Sequence, residues 1–159
     1  MNKDKNITLD KTFFLAVQNH QKNNLQIAEN LYNEVLKIDP NYIKAYSNLG
    51  LMMVGLENYQ RARECYEKIT KINPNHTEAY NNLGLVLQKT GELQKATYCY
   101  EQAIKIDPNY KNAYNNIGVI FKKLGEYKKA KDYYKKAIKI DPNYFDALNN
   151  LGNIYGDLG

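Results

Sequence analysis

The sequence predicts an all-α array of stacked helix pairs, and three observations predict it. Shifted by 34 residues, the chain lands on itself: Thr77–Tyr110 aligns with Lys111–Tyr144 ahead of it and with Ile43–His76 behind it. All four prolines, Pro40, Pro74, Pro108 and Pro142, keep that period. Inside each period, apolar residues recur at three- and four-residue spacing, as in Leu93, Ala96, Tyr100, Ala103 and Ile104. That spacing makes amphipathic helices. A fixed period of this length means one supersecondary unit repeated, with its core buried against its neighbours rather than in a globular centre.

The elements follow in order. Residues 1–8 are polar and read as a flexible leader. Residues 9–42 read as a degenerate first repeat, with Thr12, Leu15 and Ala16, then Ala28, Tyr32 and Pro40. Terminal repeats are expected to be atypical. Its Phe13 and Phe14 do not suit a purely polar cap, so a covering contact is expected for them. Three full repeats span 43–76, 77–110 and 111–144. Each reads as a helix A (44–54, 78–90 and 112–124) followed by a helix B (59–72, 93–106 and 127–140). Gly91 and Gly125 suit the left-handed conformation that ends a helix. Asp107-Pro108 and its equivalents stop helix B, because a residue before proline avoids the helical region. Residues 145–159 read as a partial repeat, a helix A at 146–158 that serves as a cap or as the cut edge of a longer protein.

Tyr80, Leu83, Gly84 and Leu87, then Ala96, Tyr100 and Pro108, match the pattern of the tetratricopeptide repeat (TPR) family, which this sequence resembles. The neighbouring repeats fill the same places with Tyr46, Leu49, Gly50, Met53, Ala62, Tyr66 and Pro74, and with Tyr114, Ile117, Gly118, Phe121, Ala130, Tyr134 and Pro142. The resemblance implies a right-handed superhelix with helix A lining a concave face that binds peptides or partner proteins. The run Ala79-Tyr80-Asn81-Asn82-Leu83-Gly84 is also similar to the TPR region of O-linked N-acetylglucosamine transferases, whose groove carries a ladder of asparagines.

Matched position by position, the ladder here is Asn48, Asn82, Asn116 and Asn150, beside a second row of Ser47, Asn81, Asn115 and Asn149. A primary amide both donates and accepts, so a row of them can hold the main chain of an extended peptide whatever its side chains. One turn along helix A lie Val17, Leu51, Leu85, Val119 and Asn153, a mildly apolar strip suited to an extended segment or an amphipathic helix. Gln88, Lys89, Lys122 and Lys123 edge it and favour an acidic ligand. Phe14 replaces the amide in the first repeat, so the ladder weakens there. Some TPR co-chaperones clamp acidic carboxy-termini with basic residues. Here Phe13, Val17, Glu78 and Asn82 occupy most of those places, and no clamp of that type is expected.

Composition narrows the rest. The chain has 159 residues, a net charge of +5 and 25% charged residues, and a mean hydropathy of −0.67. The longest apolar stretch, Leu49–Leu56, is too short to span a bilayer, and the first residues lack the apolar run of a secretory signal. Cys65 and Cys99 occupy one position in adjacent repeats, and stacked helices hold such positions beyond disulfide reach. An intracellular, cytoplasmic location is expected. His20 and His76 lie in different contexts with no ligand partner at metal spacing. The glycines follow the repeat rather than forming a phosphate loop. No catalytic constellation or small-molecule cofactor is expected.

Two alternatives to a protein-interaction scaffold remain. The chain can be the targeting arm of a longer glycosyltransferase, whose active site would follow it. It can also be an adaptor for nucleic acid or an anionic surface, because Lys128, Lys129, Lys131, Lys135, Lys136 and Lys139 lie on one helix B among Tyr127, Tyr133 and Tyr134. Solvated lysines on a surface helix are the ordinary account of that run. An exposed helix face at an end of the array would also permit homo-oligomers.

Overall fold

The computed structural model describes the backbone of residues 2–158 and the side chains of residues 8–156. Among them are nine helices and no strand. They form two compact units, Met1–Pro74 and Asn75–Gly159. The fold is an all-α solenoid of helix pairs.

The first unit holds α1 (Asn2–Gln21), α2 (Leu25–Ile38), α3 (Ile43–Gly55) and α4 (Tyr59–Ile72). Each pair, α1 with α2 and α3 with α4, packs as a hairpin, and α3 also meets α1 and α2. Residue 1 lies outside the described residues, but the chain is helical from Asn2. The leader expected at 1–8 therefore belongs largely to α1. No proline or glycine interrupts residues 2–21, so the helix propagates past the repeat boundary. Ala16, Ala28, Tyr32, Val35, Ala45, Met53, Ala62, Tyr66 and Ile69 make this unit's core. Phe13 is half-buried, its ring centroid 5.1 Å from that of Tyr42 in an edge-on contact. Phe14 stays 60% exposed.

The second unit holds α5 (Thr77–Lys89), α6 (Leu93–Ile106), α7 (Lys111–Lys123), α8 (Tyr127–Ile140) and α9 (Phe145–Leu158). Its hairpins are α5 with α6 and α7 with α8, and α9 packs on α7 and α8. Ala130, Tyr134, Ala137, Ala147 and Ile154 form the cluster that fixes α9. The helix B bounds match the sequence expectation. Each helix A begins one residue earlier than expected.

In α3, α7 and α9 that one-residue difference comes from the turn before the helix. In Asp-Pro-Asn-Tyr the Asp carboxylate accepts from the backbone N–H two residues on, at 2.9 Å in Asp39–Asn41 and Asp107–Asn109 and 3.0 Å in Asp141–Asn143. The Asp carbonyl then accepts from the Tyr N–H, at 3.2, 3.1 and 3.1 Å for Tyr42, Tyr110 and Tyr144. This is a β-turn with proline at its second position and a self-bonding Asp at its first. The tyrosine closes the turn, and the helix starts on the next residue. Tyr46 and Tyr114 then donate their hydroxyls back to the carbonyls of Pro40 and Pro108, at 3.3 and 3.1 Å.

Candidate functional site

The doubled asparagines sit in the middle of helix A, where residues three and seven apart share a face. In the second unit this puts Asn82, Leu85 and Lys89 on one face of α5, and Asn116, Val119 and Lys123 on one face of α7. The two asparagines of each pair play different parts. Asn81 and Asn115 are buried. Asn116 Nδ2 donates to Asn81 Oδ1 at 3.0 Å, and Asn150 Nδ2 donates to Asn115 Oδ1 at 3.0 Å. Asn81 Nδ2 in turn donates to Asn82 Oδ1 at 3.3 Å.

The inner row is thus a set of rungs joining α5 to α7 and α7 to α9. The outer row, Asn82, Asn116 and Asn150, is half-buried. Each outer amide that donates once to a rung retains a second N–H and the lone pairs of its oxygen. Those are what a peptide main chain needs, one donor for its C=O and one acceptor for its N–H. Packed helices lie ~8–10 Å apart and an extended chain rises about 3.3 Å per residue. Successive outer amides are therefore spaced like every third residue or so of an extended chain.

The remaining sequence-derived residues fall as follows. Asn149, the counterpart of the two buried rungs, is exposed on α9. Leu51 and Leu85 are 53% and 37% exposed and Val119 is half-buried, so the apolar strip reaches the surface. Asn48 and Ser47 are half-buried on α3, in the other unit. Lys89 is exposed and Lys122 half-buried. Gln88 is fixed from below, its Oε1 accepting from Tyr100 Oη at 2.9 Å. Sequence reasoning missed the polarity of the row, in which the second asparagine of one pair donates to the first of the pair before it. The signal was the doubling itself, which puts the second asparagine of one pair 35 residues, one repeat plus one, after the first asparagine of the pair before it.

The lysines of α8 are differently placed. Lys129 bonds Glu126 at 2.5 Å and lies 5.1 Å from the Phe121 ring centroid. Lys131 stands 5.3 Å from the Tyr155 ring and Lys136 4.9 Å from the Tyr133 ring. Tyr134 is fully buried, and Tyr133 stacks on Phe121 at 5.5 Å. Burial and the nearby Glu101 carboxylate push the Tyr133 phenol up. The aromatics that would stack on bases are spent on packing and on the lysines themselves. Among the described residues no group of three or more His, Cys, Asp or Glu is placed to hold a metal ion. No described helix is long and apolar enough to cross a membrane.

Comparison with known proteins agrees with this architecture. Family models described as tetratricopeptide repeat match residues 43–76, 77–110, 112–144 and 133–159. No curated protein sequence matches. Among solved structures, one of MamA is 28% identical with a TM-score of 0.81, covering 91% of this chain and 84% of that one. A second MamA structure is 27% identical with a TM-score of 0.84, covering 98% and 83%. A structure from a functional characterisation of Pseudomonas aeruginosa pilF reaches a TM-score of 0.83 at 19% identity, covering 98% and 71%.

Proposed function

Because the chain belongs to the tetratricopeptide repeat family and is a protein-interaction scaffold, we propose that its partner is an extended peptide segment held on the helix A face. Asn82, Asn116 and Asn150 bond the main chain of that segment. Leu85 and Val119 bury its apolar side chains, with Leu51 and Asn48 offering the same chemistry on α3. Lys89 and Lys122 favour carboxylates along the edge. The observation that supports this reading is the division of labour between the asparagines: buried rungs orient a half-exposed outer row, so its free edges are fixed before any partner arrives. Preorganised groups spend less free energy on ordering when they bind.

The test is to select binders from a random peptide library on the full chain and measure their affinity by calorimetry. Each outer amide contributes about 0.5–1.5 kcal/mol per hydrogen bond. Asn82→Ala with Asn116→Ala should therefore weaken a selected peptide by roughly tenfold or more, with helicity unchanged. Undiminished affinity in the double variant would remove the amide row from the mechanism.

A further inference from the structure

The first unit contains an open cleft of about 830 Å³ between α2 and α4, with α3 as its floor. Its lining uses none of the residues of the asparagine row. Leu36, Leu49 and Tyr46 supply its apolar surface, and Asn30 and Asn33 its amides. Its charged lining is Lys37, Arg61, Lys68 and Glu64. Arg61 is spoken for, bonded to Glu29 at 2.6 Å. Glu64 accepts from Gln60 at 2.9 Å. Lys37 and Lys68 form no ion pair with a described residue, and set against the single Glu64 carboxylate they leave the lining net positive. The Cys65 thiol at its base is raised to about 11, chiefly by burial, so it remains neutral and adds no opposing charge.

The repeat shows what fits such a cleft. Two repeats along, Asn33, Tyr46, Leu49 and Cys65 correspond to Glu101, Tyr114, Ile117 and Tyr133. At that site the chain fills the position with an aromatic ring: Tyr133 is half-buried and stacked 5.5 Å from Phe121. In the first unit the same position carries the much smaller Cys65, and the space is open. We propose that the α2–α3–α4 cleft is a second docking site, for a peptide segment that presents an aromatic side chain beside one or more carboxylates. The ring takes the place that Tyr133 fills two repeats later, and the carboxylates meet Lys37 and Lys68. The volume lies within the range of sites that enclose a ligand of this size.

A fluorescently labelled, capped peptide Glu-Asp-Tyr-Asp-Glu tests this by anisotropy with the full chain. Saturable binding is expected, at least tenfold weaker when the peptide's Tyr is replaced by Ala. Cys65→Tyr, which installs the ring already accommodated at position 133, should abolish binding while circular dichroism stays unchanged. Lys37→Glu with Lys68→Glu should weaken it at least tenfold without touching the core. No saturable binding of the Tyr peptide, or equal binding by the lysine double variant, would overturn the proposal. Equally tight competition by free 4-hydroxyphenylacetate would also overturn it, since it would assign the cleft to a small aromatic acid.

Discussion

Gly84 faces the ring of Tyr100 so closely that a Cβ built on it would lie 2.5 Å from Tyr100 Cε1. The same relationship recurs at Gly118 with Tyr134, at 2.5 Å, and at Gly50 with Tyr66, at 2.8 Å. All three tyrosines are fully buried. The small residue on helix A and the large one on helix B are therefore one feature, a ring packed closely against bare backbone. The first repeat solves the problem differently, with Ala16 on α1 and Tyr32 on α2 both buried.

The pairing predicts opposite signs for one substitution at two equivalent positions. Gly84→Ala forces a methyl into a ring that is locked by packing and by its bond to Gln88. It should cost about 1–3 kcal/mol. Gly152→Ala meets nothing within 4 Å, so only helix propensity acts, and it should gain up to about 1 kcal/mol. Urea denaturation of the two variants checks this. Equal effects would mean that glycine is needed there for a reason other than the ring.

The four core tyrosines share a ring environment but differ at the hydroxyl. Tyr100 donates to Gln88 at 2.9 Å, and Tyr32 lies 3.3 Å from His20 Nδ1. The hydroxyls of Tyr66 and Tyr134 are buried with no partner among the described residues. Leaving such a group unpaired costs about 1–3 kcal/mol, whereas a made bond contributes about 0.5–1.5 kcal/mol. Tyr66→Phe should thus be neutral or stabilising, and Tyr100→Phe destabilising by about 1 kcal/mol. Placing an acceptor twelve residues before Tyr66, as Gln88 stands before Tyr100, gives Val54→Gln as a gain of similar size. Thermal or urea melts of the three variants would show the order.

Much of this was legible in the sequence because the period repeats the same local physics. The bounds Tyr59–Ile72, Leu93–Ile106 and Tyr127–Ile140 follow from a glycine or polar break on one side and Asp-Pro or Asn-Pro on the other. The early start of α3, α7 and α9 escaped because it depends on Tyr42, Tyr110 and Tyr144 closing a turn, a hydrogen bond that spacing alone does not display. In the candidate site, the row of asparagines was visible but not its polarity. Asn81 and Asn82 are the same residue type one step apart, and only packing makes one a buried rung and the other a surface. The α2–α4 cleft was hidden for a similar reason. Cys65 and Tyr133 occupy one repeat position, and the consequence of the size difference appears only when the neighbouring helices are in place.

Burial raises the pKa of the core tyrosines, and the sign of its effect on stability follows. Tyr32 and Tyr134 rise from 10.0 to about 12 through burial, and Cys65 from 9.0 to about 11. A raised folded-state pKa means that the native chain holds its proton where the unfolded chain has lost it. The associated stability is complete below about pH 9. It falls first as the unfolded thiol ionises, then more steeply from about pH 10 as the unfolded phenols do. Urea midpoints should be flat up to about pH 9 and drop above it, with tyrosinate absorbance appearing together with the loss of helicity. Full tyrosinate absorbance while helicity is intact would contradict the burial of these rings.

One backbone position offers a stabilising change. Asn23, Glu57, Gly91 and Gly125 stand at the same place in successive repeats, just after helix A, and all have positive φ, at 60°, 56°, 85° and 75°. Glycine adopts this conformation freely and asparagine tolerates it, but a longer side chain pays about 1–2 kcal/mol for it. Glu57 is the misfit, and it forms no ion pair with a described residue. Glu57→Gly relieves the strain but gives the unfolded chain more freedom, which offsets part of the gain. The net expectation is about 0.5–1 kcal/mol of added stability, against a loss of about 1 kcal/mol for Gly91→Ala. Glu57→Asn should fall between wild type and Glu57→Gly. Chemical denaturation of the three variants decides it, and a destabilised Glu57→Gly would show that the Glu57 side chain contributes something beyond its backbone angle.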